Sequence, residues 1–154
     1  MKNGNILIIG SLFTIVFAAV LFWPNSENDS KIQVVMYKSA TCGCCTKWAE
    51  YMETAEFDVE QVVPESLYEV KVEAGIPQEL SSCHTAKVGK YVVEGHVPLE
   101  DVQRLLNEQP DAIGITVPGM PTGSPGMEVE GQPADNYDVL LIHNDGSTSI
   151  WASH

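Results

Sequence analysis

Three of the four cysteines in this chain, Cys42, Cys44 and Cys45, fall within the stretch SATCGCCTKW, while the fourth, Cys83, stands far downstream. Thiolate sulfur is both a nucleophile and a soft metal ligand, so the crowding admits metal binding, thiol exchange or structural disulfides. Cys42 and Cys45 have the Cys-x-x-Cys spacing of a redox pair. Cys44 complicates that reading, because a third thiol beside the pair intercepts the mixed disulfide through which exchange proceeds. A structural zinc module normally presents two separated Cys-x-x-Cys knuckles, and here the second is missing. Side chains of the adjacent Cys44 and Cys45 diverge, so closing both on one tetrahedral ion costs strain. Bridging several ions through sulfur, as soft Cu(I) favours, costs less.

The elements around the cluster decide how these thiols are presented. IQVVMY, from Ile32, is a compact run rich in β-branched residues and reads as a buried strand. Trp48, Tyr51, Met52 and Ala55 then recur at intervals of three and four, the apolar stripe of a helix over about 44–56, with Ser39 or Thr41 as its cap. FDVEQVV alternates as a strand over 57–63, and a second helix is expected over 66–74, ending at Gly75 and Pro77. A polar loop, QELSSCHT, carries Cys83. AKVGKYVVEGHV offers two short strands about Gly89, and Pro98 opens a helix whose Leu99, Val102, Leu105 and Leu106 share a face. The segment 114–133 is so punctuated by Gly and Pro that it is expected to wrap the surface. YDVLLIH and STSIWAS flank Asn144-Asp145-Gly146, a strong signal for a closing β-hairpin.

Strand, helix, strand, helix, strand pair, helix is the succession of thioredoxin-like α/β folds, here with a C-terminal β-hairpin extension. In such a fold the first strand delivers the cysteines to a helix N-terminus, whose unpaired N–H groups and dipole lower a thiol pKa from about 8.5. The loop entering the third strand lies against that helix start, so Cys83 is expected near the cluster.

The rest of the composition narrows the partners. With 21 Asp and Glu against 8 Lys and Arg the net charge is −13, which excludes a nucleic-acid partner held by phosphate neutralisation. Lys2 precedes an uncharged apolar run from Ile6 to Trp23, the length of a membrane-spanning helix. Residues 1–23 therefore read as a signal peptide or membrane anchor, 24–31 as a linker, and 32–154 as one folded domain. Either reading of the leader exports the domain: periplasmic, secreted, or tethered to the inner membrane through residues 6–23.

SATCGCCTKW, SSCHTAKVGKYVVEGHVP and PGMPTGSPGMEV, in that order, resemble the CopG-like family of exported copper-resistance proteins, small thioredoxin-like domains. The resemblance runs from about Val34 to Trp151. It implies a Cys-x-Cys-Cys plus Cys site at Cys42, Cys44, Cys45 and Cys83 that sequesters copper as a cysteine-bridged multinuclear Cu(I) cluster, with a role in Cu(I)/Cu(II) redox chemistry and other periplasmic copper-handling proteins as partners. On this reading the chain is a metal-binding protein before it is a copper oxidoreductase. The alternative is a periplasmic thiol-disulfide oxidoreductase using Cys42 and Cys45.

Four further residues are candidate ligands. His84 adjoins Cys83, against a plainer reading as an exposed loop histidine, and His96 in EGHVP competes with a structural histidine at the domain edge. Met120 and Met127 offer thioethers suited to Cu(I) from a turn-rich loop, although methionine is also a general core filler. His143 reads as a satisfied sheet residue, and His154 as a mobile terminus.

Overall fold

A computed structural model of the chain describes residues 31–53 and 56–154. The expected apolar leader, nearly all of the linker, and Ala55 of the first helix lie outside the described residues. Among the described residues no helix is long and apolar enough to cross a membrane.

Residues 31–154 form a mixed α/β body, with a seven-stranded sheet and three α-helices among the described residues. The elements in chain order are β1 (Ile32–Lys38), α1 (Gly43–Glu53), β2 (Phe57–Val62), α2 (Leu67–Glu73), a short 3-10 turn at Gln78–Leu80, β3 (His84–Val88), β4 (Tyr91–Glu94), α3 (Leu99–Glu108), β5 (Gly114–Thr116), β6 (Asp138–Ile142) and β7 (Thr148–Ser153). The strand order is β2-β1-β3-β4-β5-β6-β7. β1 runs parallel to β2 and antiparallel to β3, β4 returns antiparallel to β3, and β5 lies parallel to β4. The remaining two strands add an antiparallel hairpin beyond β5.

Hydrophobic periodicity explains why each element settles where it does. α1 buries Cys45, Trp48, Ala49 and Met52, spaced so that one helical stripe meets the sheet. With Val102 and Leu105 of α3 it covers a core built from Val34, Met36, Phe57, Ala86, Val88, Val93, Ile115 and Val139. Alternate strand residues point the other way, and there Ile76, Val92 and Ile142 form a smaller cluster. α2 starts where Ser66 Oγ accepts the Glu69 N–H at 3.2 Å, and its one buried side chain is Lys71.

Two expectations fail. β5 lies inside the segment expected to wrap the surface; its three residues are buried, and Gly114 is required because a Cβ would strike the Val92 backbone. Farther along, Ser124, Pro125 and Gly126 are also buried, packed on the start of α1. The hairpin occurs as expected, turning between His143 and Ser147, with Gly146 at φ +83°. His154, expected to be mobile, is held by Asp101 Oδ2 at 2.7 Å and stacks on Tyr137.

Candidate metal centre

Sheet topology brings four chain segments to one end of the strands. β1 points its C-terminal end there and is followed directly by the cysteine turn. Its antiparallel partner β3 begins at the same end, with Lys38 opposite His84, so Cys83 arrives beside Cys42. β4 ends there too, which sets Gly95 and His96 next to the start of β3. β5, parallel to β4, leaves at this end and sends out the loop that returns over α1 through Pro125 and Gly126.

The first turn of α1 is presented by Cys42, whose carbonyl accepts the Thr46 N–H at 3.4 Å. The helix begins at Gly43, so Ser39 and Thr41, expected as caps, lie upstream of it. Lys38, almost wholly buried, places its ammonium 3.1 Å from Thr46 Oγ1 and 3.4 Å from the Cys42 carbonyl, a fixed positive charge beneath the thiols.

All four cysteines converge. The sulfurs of Cys42, Cys44, Cys45 and Cys83 lie within 4.8 Å of one another. Cys42 and Cys45 are joined as a disulfide, with Cα atoms 5.4 Å apart. Cys44 and Cys83 are free thiols, and Cys44 Sγ is 3.5 Å from Cys42 Sγ. The pairing of Cys42 with Cys45 selects the Cys-x-x-Cys spacing from the three pairs available in the turn. Burial pushes the Cys83 thiol up to about 12, and the neighbouring Cys44 adds to the rise. Cys83 therefore stays protonated at neutral pH until something replaces its proton.

Two imidazoles complete the cluster. His96 Nε2 is 2.9 Å from Cys83 Sγ, and His84 Nδ1 is 3.4 Å from it. Cys83, His84 and His96 form a second set of donor atoms within 4.8 Å of one another. Both rings are wholly buried, so His84 is not an exposed loop residue and His96 is not at the domain edge. His84 packs 4.6 Å from Trp48, whose indole N–H donates to the Val97 carbonyl at 2.9 Å. Burial lowers the pKa of both histidines, most strongly for His84, where the Lys71 and Lys38 charges also oppose protonation and the two rings disfavour being charged together. Both are neutral.

Their tautomers follow from their neighbours. His96 Nδ1 faces the Pro125 carbonyl at 2.8 Å, so Nδ1 carries the proton and Nε2 offers a lone pair to Cys83. The Cys83 S–H donates to that lone pair. Its sulfur then accepts from His84 Nδ1–H, which leaves His84 Nε2 as a buried lone pair with no hydrogen-bond partner among the described residues. Four soft sulfurs beside two neutral imidazoles, one imperfectly satisfied, form a donor set that suits a soft cation.

Met120 is exposed and Met127 half-buried, both in the loop that covers the helix start. Gly126, next to Met127, sits so close that a Cβ there would lie 2.8 Å from the Cys44 carbonyl. His143 occupies the hairpin turn, bonded through Nε2 to Ser149 Oγ at 2.9 Å.

Sequence reasoning missed three contributors: Lys38, the Pro125 carbonyl, and the buried carboxylate of Glu94. The signal for Glu94 was present as a charge inside the apolar run YVVE. The other two depend on tertiary packing.

Residues 80–127 match a protein family described as "Protein of unknown function, DUF411", a span that holds Cys83, His84 and His96 but not the cysteine turn. Two solved structures, titled "Copper resistance protein copG- Form 1" and "Copper resistance protein copG- Form 2", are each 38% identical to the chain. Each alignment covers 80% of this chain and 98% of the other, with a TM-score of 0.76. No curated protein matches the chain.

Proposed function

Since the chain belongs to the family of the copper resistance protein CopG, we propose that it is an exported copper-binding protein that sequesters Cu(I) on its cysteine cluster. The observation that carries this reading is the convergence of four sulfurs within 4.8 Å from two segments far apart in sequence. Copper is the cargo. Cys42, Cys44, Cys45 and Cys83 are the thiolate donors, and sulfur bridging lets four of them hold more than one ion. His84 and His96 supply neutral nitrogen donors, with the His96 tautomer set by Pro125. Met120 and Met127 are peripheral thioether donors.

Loading begins when an external dithiol exchanges with the Cys42–Cys45 disulfide, giving two thiols on the chain and leaving the reductant as the disulfide. Cu(I) then displaces thiol protons, including the firmly held proton on Cys83. The same pair offers a route to redox coupling: two Cu(II) ions take one electron each from the dithiol, the S–S bond forms and two protons leave.

We read β1 to α3 as a thioredoxin-like unit, supported by the β2-β1-β3-β4 order with β1 parallel to β2. The exported location rests on the apolar run at residues 6–23. The disulfide favours a second reading, thiol-disulfide exchange through Cys42 and Cys45. Against it, the residue immediately before β3 is Cys83, where that class carries a proline.

The test is anaerobic titration of the reduced full-length chain with Cu(I) against a competing chelator, alongside an insulin-reduction assay. More than one copper per chain, reduced in Cys44→Ser, is the expected result. A single tightly held zinc, or turnover of disulfides without copper uptake, overturns the proposal.

A further inference from the structure

Glu94 ends β4 with no exposed surface. A carboxylate in that position is costly unless each of its oxygens is partnered. Oε1 receives the Lys71 ammonium at 2.5 Å and the Ser82 N–H at 2.6 Å, and Oε2 receives the Thr85 hydroxyl at 2.7 Å. Lys71 reaches it from α2 and also donates to Thr85 Oγ1 at 3.0 Å.

These partners are not scattered. Ser82 and Thr85 are the residues on either side of Cys83 and His84. The neighbouring Gly95 donates its N–H to the His84 carbonyl at 3.0 Å. Gly95 has φ +76°, and a Cβ would sit 2.5 Å from Ser82 Oγ, which itself donates to the Gly119 carbonyl. The pair that brings sulfur and imidazole to the cluster is therefore gripped on both flanks by one carboxylate.

A buried ion pair is poor evidence of a need for stability, since well-packed apolar replacements are often neutral or better. What this pair does that packing alone would not is tie Ser82 and Cys83, which precede the ladder, to its first residues: β3 begins only at His84, so Cys83 has no strand to hold it. We propose that Glu94, with its charge neutralised by Lys71, is a positioning residue for the copper site, holding Cys83 and His84 in register with the cysteine turn. The proposal rests on the copper reading above. Glu94 touches no donor atom and acts through the backbone at Ser82 and the hydroxyl of Thr85.

The test compares full-length wild type, Glu94→Gln, and the apolar double variant K71M/E94L, which removes the clamp without leaving Lys71 unpaired. Loss of an outer partner of a metal ligand typically lowers affinity about 10–100-fold, and that is the expected fall in Cu(I) affinity for both variants. In a Cys83→Ser/His84→Gln background the further loss from Glu94→Gln should vanish, which a general loss of stability would not produce. Copper-free protein supplies an independent readout: iodoacetamide labelling of Cys83, relative to Cys44 in the same sample, should rise in both variants. If K71M/E94L folds, binds Cu(I) as tightly as wild type and labels Cys83 at the wild-type ratio, the clamp is overturned. If wild type takes up no Cu(I), the copper reading falls, and the labelling ratio still decides whether Glu94 positions Cys83.

Discussion

Replacing Gly126 by Ala should disturb the site while leaving every donor atom in place. Gly126 has φ +83°, and an added Cβ would lie 2.8 Å from the Cys44 carbonyl and 2.9 Å from the Trp48 backbone nitrogen. Both obstacles are backbone atoms of α1, which cannot swing aside as a side chain can. Two costs combine. The left-handed backbone alone costs an L-residue about 1–2 kcal/mol. Forcing a methyl group into a closed contact adds about 1–3 kcal/mol. Gly131 separates the two, because it has a similar φ of +78° with nothing within 4 Å of its Cβ position. Gly131→Ala should lose only the first amount, and Gly126→Ala about 2–5 kcal/mol in total. Urea denaturation of the oxidised protein measures both, and Cu(I) titration of the reduced protein should show weakened binding for Gly126→Ala alone. Equal destabilisation by the two substitutions, within about 0.5 kcal/mol, would refute the claim that the loop is seated on the helix start.

Acid should weaken the metal-free protein through its two buried histidines. His84 and His96 have folded pKa values below the ordinary imidazole value of 6.5, because burial disfavours the imidazolium. The unfolded chain then binds more protons just below pH 6.5, so their contribution is fully present above that pH and is lost as pH falls through it. A His84→Gln/His96→Gln variant, followed by denaturation from pH 8 to 5, should show a flatter profile; an unchanged slope assigns the acid sensitivity elsewhere. Trp48→Phe keeps most of the apolar contact but strands the Val97 carbonyl, now bonded at 2.9 Å, and should cost about 1–3 kcal/mol by urea denaturation. A loss below about 0.5 kcal/mol would mean that water or a shifted neighbour restores the bond.

Elements written in local periodicity were readable from the sequence. The stripe through Trp48 and Met52, the stop of α2 before Gly75 and Pro77, and Asn-Asp-Gly between two β-rich runs each encode structure within a few residues. β5 was not readable: three residues bounded by Gly and Pro carry no period, and their strand character comes from the edges of β4 and β6 on either side. The cysteine site was half legible. Spacing and loop position put Cys83 near the turn, but which two of the clustered thiols pair depends on side-chain directions at a helix start. The burial of His84 and His96 was hidden because neither sits in an apolar pattern of its own. Glu94 and Lys71 attract one another across 23 residues, a relation that no local window contains.

The hydrogen bond from His96 Nδ1 to the Pro125 carbonyl joins the covering loop to Cys83 through a single proton. While the loop is seated, that proton is confined to Nδ1 and the opposite nitrogen is an electron-pair donor. Lifting the loop removes the acceptor and frees the ring to exchange tautomers, which turns the same nitrogen into an N–H directed at sulfur. Loop position and donor character are thus one variable, and displacing Pro125 would change what His96 offers to Cys83 without touching a cysteine.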